Sequence, residues 1–452
     1  MPDLIKVAKF GGTSLADANA MNRCASIIEF DSDKRIIVLS ATSGTTNLLA
    51  SLATIDDLSA RLSVFEQIKE NHHNILSDLN LPDEYQKMLD ELLSGLKAKI
   101  ESAEPHDIRE MDTLLSYGER LSSTLFTGLL NSKGIEAAYV DARKIIKTNS
   151  QYGDAEPLVD QIRDRAEKFL LPEIKSKRLV TQGFIGSDKA EITTTLGRGG
   201  SDYTAALLAE ALDADVLEIW TDVNAIYTTD PRICSDAVPI TEMTFDEAAE
   251  LSFFGAKVLH PATLKPAIRK NIKVYVGSSI YPDQPGTWIV KNTLDKPIIR
   301  AISLRPEQTL ITVHSLDMLH RHGFLAKLFQ ILAEYKISVD LVTTSEVSVS
   351  LTIDTNQTGL LQRLSPEMIK ELESIAEVQV EKDLALIALV GNNLDSTAGV
   401  SGPLFNMLDN INIRMICHGA SSHNLCFLVD QQKAASVVQK LHKYFIPQKV
   451  EN

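Results

Sequence analysis

Short apolar segments that end in small, hydroxyl-rich or glycine-rich loops constrain the fold of this chain more than any other feature. Residues 36–39 form an apolar run that ends in a polar loop at 40–47, and the segment 5–10 ends in two glycines. Between these two strands, a helix is expected over 17–30. Alternation of strand, loop and helix indicates an α/β sheet whose loops gather at the carboxyl ends of its strands.

The rest of the chain continues this alternation and then changes character. Residues 56–131 predict mainly helices, and further strands are predicted at 178–186, 216–220, 272–276 and 298–303. Proline, glycine and charged residues are concentrated over 282–297. We place a domain boundary there, which gives one domain at 1–292 and a second region at 293–452.

An internal repeat lies in the C-terminal region. Residues 309–354 align without a gap on residues 385–430, so that Leu328 falls on Leu404. Each copy is predicted to contain a strand, loop, helix, strand, turn and strand. Two copies of this size indicate a pair of small domains rather than a solenoid, which needs three or more. Chance similarity between two α/β segments is the alternative.

Charge and composition exclude several classes of protein. The chain has 45 basic and 60 acidic residues and a net charge of −15, which argues against sequence-independent nucleic-acid binding and against a polybasic membrane-surface protein. The N-terminus shows no secretory signal, and no apolar run approaches the ~18 residues of a membrane span. Four scattered cysteines predict reduced thiols and a cytoplasmic protein. No histidine lies at zinc-site spacing from a cysteine, so no metal site is predicted.

Two glycine-rich loops are candidates for binding anions. The chain lacks the GxxxxGK[ST] loop and the HRD and DFG motifs of protein kinases. Residues 197–202 instead form a glycine-rich loop before a helix, where backbone amides and the fork of Arg198 suit a phosphate or carboxylate. Lys9 precedes Gly11 and Gly12 at a strand end and could reach phosphate oxygens. A solvated turn and a surface lysine are the alternatives.

Eight motifs occur in one order along the chain: KFGGTS, VLSATSGTTN, SYGER, TQGFIG, TTTLGRGGSDYTA, WTDVNAIYTTDPR, FGAKVLHP and VGSS. This order resembles that of the aspartokinases of the amino-acid kinase family, and the C-terminal repeat resembles their tandem ACT domains. Residues 314–352 are most similar to the monofunctional lysine-sensitive members. The resemblance implies a three-layer αβα amino-acid kinase domain and two ferredoxin-like (βαββαβ) ACT domains, the first inserted into the second.

The resemblance also implies a reaction and the residues that perform it. ATP and L-aspartate give ADP and 4-phospho-L-aspartate, the first step toward lysine, threonine, methionine and diaminopimelate. Lys9 would stabilise the transferred phosphoryl group, and Asp202 would orient that lysine. The implied aspartate-binding residues are Thr45, Glu119, Arg198, Gly199, Gly200 and Ser201. The implied nucleotide-binding residues are Gly11, Gly12, Thr221, Asp222, Tyr227, Arg232 and Lys257. Mg²⁺ would arrive with ATP, and no protein ligand for it is predicted.

Feedback inhibition by L-lysine is the regulatory implication. The implied effector site consists of Met318, Gly323, Phe324, Leu325, Asp340, Ser345 and Glu346. ACT domains often complete a sheet across subunits, so we expect a homodimer or a dimer of dimers. Another amino-acid kinase and a non-catalytic amino-acid sensor are the alternatives. From the length of the chain we expect no fused homoserine dehydrogenase.

Overall fold

The computed structural model describes residues 4–255, 259, 261–319, 322–354 and 364–446. The chain divides into two compact units. Unit 1 contains Met1–Ile226, Pro239–Phe245 and Lys257–Thr293; unit 2 contains Tyr227–Val238, Asp246–Ala256 and Leu294–Asn452. Two segments from the middle of the chain therefore belong with the C-terminal unit, which the sequence did not indicate.

Unit 1 is built on a mainly parallel sheet. Its strands within the described residues are β1 (Lys6–Phe10), β2 (Lys34–Leu39), β3 (Ala137–Val140), β4 (Arg178–Gln182), β5 (Ile185–Ser187), β6 (Thr193–Thr195), β7 (Val216–Thr221), β8 (Glu242–Thr244), β9 (Lys273–Ser278) and β10 (Thr287–Val290). Eight of them form one sheet in the order β3-β4-β2-β1-β7-β9-β10-β8. Neighbouring strands from β3 to β9 are parallel. The carboxyl ends of β1, β2, β4, β7 and β9 therefore meet at one edge.

The helices confirm the predicted alternation. They are α1 (Ala18–Phe30), α2 (Thr45–Leu52), α3 (Leu58–Asp78), α4 (Asp83–Ser102), α5 (Ile108–Ser132), α6 (Val159–Phe169), α7 (Gly200–Ala211), α8 (Phe245–Phe253) and α9 (Pro261–Lys270). The helix expected over 17–30 begins one residue later, because Asp17 is its N-cap and accepts a hydrogen bond from the Ala20 N–H.

Side-chain alternation along β1 gives the sheet two buried faces. Ala8 and Phe10 lie in a hydrophobic core with residues of α1 to α5. Successive side chains of a strand point to opposite faces, so Val7 and Lys9 lie on the other face. There α7 packs against β1 and β7. Helices on both faces of one sheet confirm the three-layer αβα architecture.

Unit 2 contains one antiparallel sheet and its covering helices. The strands are β11 (Ile299–His314), β12 (Val342–Thr344), β13 (Ser348–Asp354), β14 (Glu377–Gly391), β15 (Met415–His418) and β16 (Asn424–Asp430). The helices are α10 (Phe324–Glu334), α11 (Pro366–Glu373), α12 (Ser401–Met407) and α13 (Gln431–Phe445), together with α8, which belongs to this unit from Asp246 onward. The strand order is β12-β13-β11-β14-β16-β15. Antiparallel strands with helices fit the ACT fold.

Two hydrophobic cores lie along this sheet. One contains Ile311 and extends to Leu372. The other contains Ile302 and then residues from Ala385 to Ile446, so it draws on the chain before and after the first core. The strand predicted at 298–303 was too short, because β11 runs through both cores. Among the described residues, no helix is both long and apolar enough to cross a membrane.

Candidate functional site

Lys9 and Asp202 form an ion pair at the central strand of unit 1. Lys9 Nζ lies 2.5 Å from Asp202 Oδ1, and the two side chains are only 11% and 15% exposed. The alternation of β1 directs Lys9 toward the face that α7 covers, and Asp202 lies in the first turn of α7. The pair therefore places a cation at the start of a helix, near the carboxyl end of the central strand.

The loop before α7 brings backbone N–H groups to the same place. Gly199 is the N-cap of α7 and has a φ of 72°, a left-handed conformation that glycine adopts without strain. A Cβ on Gly200 would lie 2.7 Å from Phe184 Cδ2, so only glycine fits this turn. The first amides of a helix have no intrahelical partner and attract anions. Arg198 is exposed beside them. Ser201, in the first turn, is half-buried.

Glu119 lies buried in α5 and faces the loop that follows β2. Its side chain accepts a hydrogen bond from the Ala41 N–H at 3.2 Å, and the residue is 4% exposed. Burial raises the pKa of Glu119 to about 8, because removing a carboxylate from water penalises its charged form. A cation placed beside Glu119 would favour ionisation. The carboxyl group is therefore suited to receive an ammonium group.

Thr45 is buried at the start of α2, 1% exposed. Its hydroxyl lies 2.6 Å from that of Thr42, which is in turn 3.3 Å from His72 Nε2. Burial lowers the pKa of His72 to about 4, so this imidazole is neutral at pH 7. The three side chains hold the loop after β2 in place on α3, an arrangement that the sequence did not indicate.

Hydroxyl groups join the ends of β1, β7 and β9. The hydroxyls of Ser14 and Ser279 lie 2.6 Å apart, and Ser279 donates to the Thr221 carbonyl oxygen from its N–H and its Oγ–H. The Gly11 N–H donates to the Trp220 carbonyl oxygen at 3.2 Å. The sequence patterns assigned no role to Ser14 or Ser279. The VGSS motif at the end of β9 is the signal that could have identified Ser279.

The remaining residues assigned to the nucleotide are less closely grouped in the described structure. Gly12 opens a short 3₁₀ helix after β1, and Asp222 is exposed after β7. Tyr227 and Arg232 lie in the segment that belongs to unit 2. The Arg232 guanidinium pairs with Asp230, at 3.0 Å from Nε to Oδ1 and 2.7 Å from Nη2 to Oδ2. Lys257 lies outside the described residues.

Four of the residues assigned to the effector surround the start of α10. Gly323 is the N-cap of this helix and has a φ of 86°. Met318 and Phe324 are half-buried and pack against the core of the first repeat. Leu325 is 42% exposed. The helix therefore begins with amides that have no intrahelical partner, beside an exposed apolar side chain, which suits the carboxylate and the stem of an amino acid.

Asp340 already has a cationic partner. Its Oδ2 lies 3.1 Å from Arg305 Nη2, and the side chains are 8% and 6% exposed. Ser345 and Glu346 are exposed, and Ser345 hydrogen-bonds Ser348 across the turn between β12 and β13. A ligand ammonium at Asp340 would have to compete with Arg305 or share the carboxylate with it.

In the second repeat, the turn between β15 and β16 is hydrogen-bonded to a side chain of the same unit. Ser421, which aligns with Ser345 in the repeat, donates to Glu250 Oε1 at 2.6 Å. Asn424 donates to Glu250 Oε2 at 2.8 Å. Glu250 belongs to α8, in one of the two segments from the middle of the chain. The two repeats thus share a fold but not the use of their turns.

Family models match both parts of the chain. The amino acid kinase family matches residues 5–278, and an ACT domain model matches residues 311–360 and 387–445. Lysine-sensitive aspartokinase 3 of Escherichia coli (strain K12) is 49% identical, over 97% of this chain and 98% of its own length. Chloroplastic aspartokinase 1 of Arabidopsis thaliana is 38% identical, over 97% of this chain and 80% of its own length.

Solved structures give the same result. The structure of E. coli aspartokinase III with aspartate and ADP, in its R-state, aligns with a TM-score of 0.90 and covers 97% of this chain and 99% of its own. The structure of the same enzyme with lysine and aspartate, in its T-state, aligns with a TM-score of 0.85 over 98% of this chain and 100% of its own. Both are 49% identical to this chain.

Proposed function

The chain belongs to the aspartokinase family, and we propose that it transfers the γ-phosphoryl group of ATP to the β-carboxylate of L-aspartate and is inhibited by L-lysine. ADP and 4-phospho-L-aspartate are the products. The observation that carries the proposal is the Lys9–Asp202 pair at the start of α7, at the carboxyl edge of the sheet. Relatives named as aspartokinases, one of them solved with aspartate and ADP, support the choice of substrates.

The nucleophile in this reaction needs no protein base. A free carboxyl side chain of aspartate has a pKa near 3.9, so the substrate is already ionised at pH 7. The enzyme must bring two anions together and neutralise the charge on the transferred group. Lysine side chains and helix-start amides perform that task directly.

Lys9 is proposed to stabilise the transferred phosphoryl group, and Asp202 to orient Lys9. The 2.5 Å pair supports both roles, because it holds the ammonium in one position before substrates bind. Gly11, Gly12 and the amides that follow Gly199 would line the path of the phosphates. These groups come from the end of β1 and the start of α7, at one edge of the sheet.

Aspartate is proposed to bind through its α-carboxylate and its α-ammonium group. Arg198 would bind the α-carboxylate, and Glu119 would receive the ammonium. Thr45 and Ser201 would donate hydrogen bonds from the first turns of α2 and α7, while Gly199 and Gly200 keep the backbone close to the ligand. The raised pKa of Glu119 supports this role, because the ammonium would supply the positive partner that the buried carboxyl lacks.

ATP is proposed to bind with Mg²⁺ near Thr221, Asp222, Tyr227, Arg232 and Lys257. The described residues contain no group of three or more histidine, cysteine, aspartate or glutamate side chains that could hold a metal ion. They do not form a cage for the metal. Mg²⁺ commonly keeps water ligands and binds substrate phosphates with one or two carboxylates.

Lysine is proposed to bind the first ACT repeat. The start of α10 would receive its α-carboxylate, Asp340 and Glu346 its ammonium groups, and Met318, Phe324, Leu325 and Ser345 its stem. The proposal is supported by the name of the E. coli relative and by its structure with lysine. Inhibition requires lysine to favour an inactive arrangement over an active one.

The assembly and location follow the family. We propose a homodimer or a dimer of dimers through the ACT domains, with the first ACT domain inserted into the second. The two hydrophobic cores of unit 2 support the insertion, since one is formed from chain on both sides of the other. Cytoplasmic location stays a prediction from the sequence.

The substrate assignment is tested by following ADP release with purified protein, ATP and Mg²⁺. We expect ADP release that requires L-aspartate. Excess L-glutamate or carbamate should neither substitute for L-aspartate nor inhibit its reaction. Turnover with L-glutamate would instead support another amino-acid kinase. A folded protein that binds lysine but releases no ADP with any of the three acceptors would support the amino-acid sensor.

A further inference from the structure

A segment that carries two of the residues assigned to the nucleotide packs against the core of unit 2. Residues 227–238 contain Tyr227 and Arg232, both assigned to the nucleotide, and they belong to the same compact unit as the ACT sheet. Thr228 joins this segment to the sheet, because its carbonyl oxygen accepts a hydrogen bond from the Ile302 N–H of β11 at 2.7 Å. Ile233 packs against the core that contains Ile302.

A histidine of α13 contacts the same segment at two residues. His442 is 3% exposed, with Nε2 2.8 Å from Thr228 Oγ1 and Nδ1 3.6 Å from Cys234 Sγ. Burial lowers the pKa of His442, and Asp236 opposes the shift only in part. The neutral imidazole has one donor and one acceptor nitrogen. One ring therefore contacts two points of the segment, on either side of Arg232.

Thr228 makes hydrogen bonds through its N–H, its carbonyl oxygen and its hydroxyl. Its N–H donates to the Val238 carbonyl oxygen, and its hydroxyl oxygen accepts from the Val238 N–H, both at 3.0 Å. Those bonds close the segment on itself. The hydroxyl of Thr228 also contacts His442, which connects residues 227–238 to α13. Gln439 of α13 makes a further connection by donating a hydrogen bond to the Ile233 carbonyl oxygen at 2.7 Å.

We propose that His442 is a positioning residue for the nucleotide: by binding Thr228 and Cys234 it fixes the segment that presents Tyr227 and Arg232 to ATP. The inference rests on the proposed nucleotide role of those two residues. It makes a residue of the C-terminal helix, remote in sequence from every phosphate-binding motif, a determinant of ATP affinity. Aspartate binding, which uses loops of unit 1, should not depend on it.

Steady-state kinetics of His442→Leu and His442→Gln test the proposal. His442→Leu should raise the KM for ATP about tenfold, the loss expected for one buried hydrogen bond of roughly 1–2 kcal/mol, and leave the KM for aspartate and kcat within about twofold. Glutamine can place an amide near the position of Nε2, so His442→Gln should restore most of the ATP affinity.

Val438→Ala is the matched control for lost stability. Val438 lies in the same helix and the same core, fully buried, but has no polar side-chain contact. It should lower the melting temperature with the KM for ATP unchanged. An equal rise in the KM for ATP in Val438→Ala, or an unchanged KM in His442→Leu, overturns the proposal.

Thr228→Val keeps the shape of the side chain and removes its hydroxyl, and it decides the question alone if His442→Leu does not fold. Because Thr228→Val also removes the acceptor for the Val238 N–H, the KM for ATP should rise at least as much as in His442→Leu, and the two substitutions should combine to less than the product of their separate effects, as expected from a shared contact. A KM that stays at the wild-type value contradicts the proposal. These outcomes are separable from failure of the proposed function, in which the wild-type protein itself would show no ATP turnover with aspartate.

Discussion

The two regions to which function is assigned prepare their ligand groups in opposite ways. In unit 1, Lys9 and Glu119 are buried and already held: Lys9 is paired with Asp202, and Glu119 is hydrogen-bonded to the loop after β2. In the first ACT repeat, Leu325 and Glu346 are exposed. Asp340 is the exception, because it is buried against Arg305.

The difference matches what each region has to do. Electrostatic stabilisation of a transition state is most effective when charges and dipoles are fixed before the reaction. An effector site must instead admit a ligand and bind it more tightly in one conformation than in another. The first repeat combines exposed groups with one buried ion pair that a cationic ligand could disturb, which is suitable for a switch.

Replacement of Lys9 tests whether the buried ion pair of unit 1 acts in phosphoryl transfer. Lys9→Met should lower kcat about 10³-fold, the upper range for loss of one transition-state donor, while the affinity for lysine measured by titration calorimetry is unchanged. Lys6→Met is the matched control, since Lys6 lies at the other end of the same strand and pairs with Asp31. A fall in kcat of the same size in Lys6→Met would contradict the assignment.

Replacement of Glu119 should raise the KM for aspartate by about 10²-fold, because a charged hydrogen-bonded pair is lost. Stability should change as well. The pKa of Glu119 is raised from 4.5 to about 8 on folding, so the folded state binds the proton more tightly and the free energy of unfolding falls as pH rises between these values.

In Glu119→Gln this contribution to the fall with pH disappears. Thermal melting from pH 5 to pH 8 should therefore show a shallower loss of stability in the variant. Aspartate should bind the wild-type protein with release of up to one proton below pH 8, visible as a buffer-dependent binding enthalpy. Identical pH slopes in the two proteins would show that Glu119 is ionised without ligand.

Asp340→Asn tests the regulatory side. The inhibitory concentration of lysine should rise about 30-fold or more, from loss of a buried charge pair, with kcat and both KM values little changed in the absence of lysine. Glu334→Gln, an exposed carboxylate of α10, is the control and should keep wild-type inhibition. Full inhibition of Asp340→Asn by lysine would remove Asp340 from the effector site.

Gly199→Ala should have the smallest effect. A left-handed alanine costs about 1–2 kcal/mol, so the melting temperature should fall by a few degrees and the KM for aspartate should rise severalfold. Gly134→Ala is the control, because Gly134 has a similar φ of 77° after α5. It should lose the same stability without a change in KM. Equal KM values in the two variants would separate the α7 loop from substrate binding.

Local patterns predicted much of unit 1. A strand was predicted over 5–10 and a helix over 17–30, and the structure has β1 and α1 there. The sequence could not give the full length of β11, because Pro306 interrupts the pattern where the register shifts between Arg305 and Gln308. Proline is tolerated at such irregular positions.

Long-range polar contacts could not be read from the sequence either. The Arg305–Asp340 pair and the contact between Thr228 and His442 join residues far apart in the chain, and nothing in their local sequence indicates a partner. Hydrophobic periodicity reports which face of an element is buried, not which polar group lies opposite. The assignment of residues 227–238 to unit 2 depends on contacts of this kind.

We propose that the preorganised phosphoryl-transfer site of unit 1 is controlled by the amino-acid site of unit 2. The most direct measurement is formation of aspartyl phosphate from ATP and L-aspartate, trapped as the hydroxamate, with lysine, threonine or methionine added separately. We predict product formation that lysine alone abolishes. Formation that is indifferent to lysine would contradict the control by unit 2, and no hydroxamate from folded protein would contradict the site in unit 1.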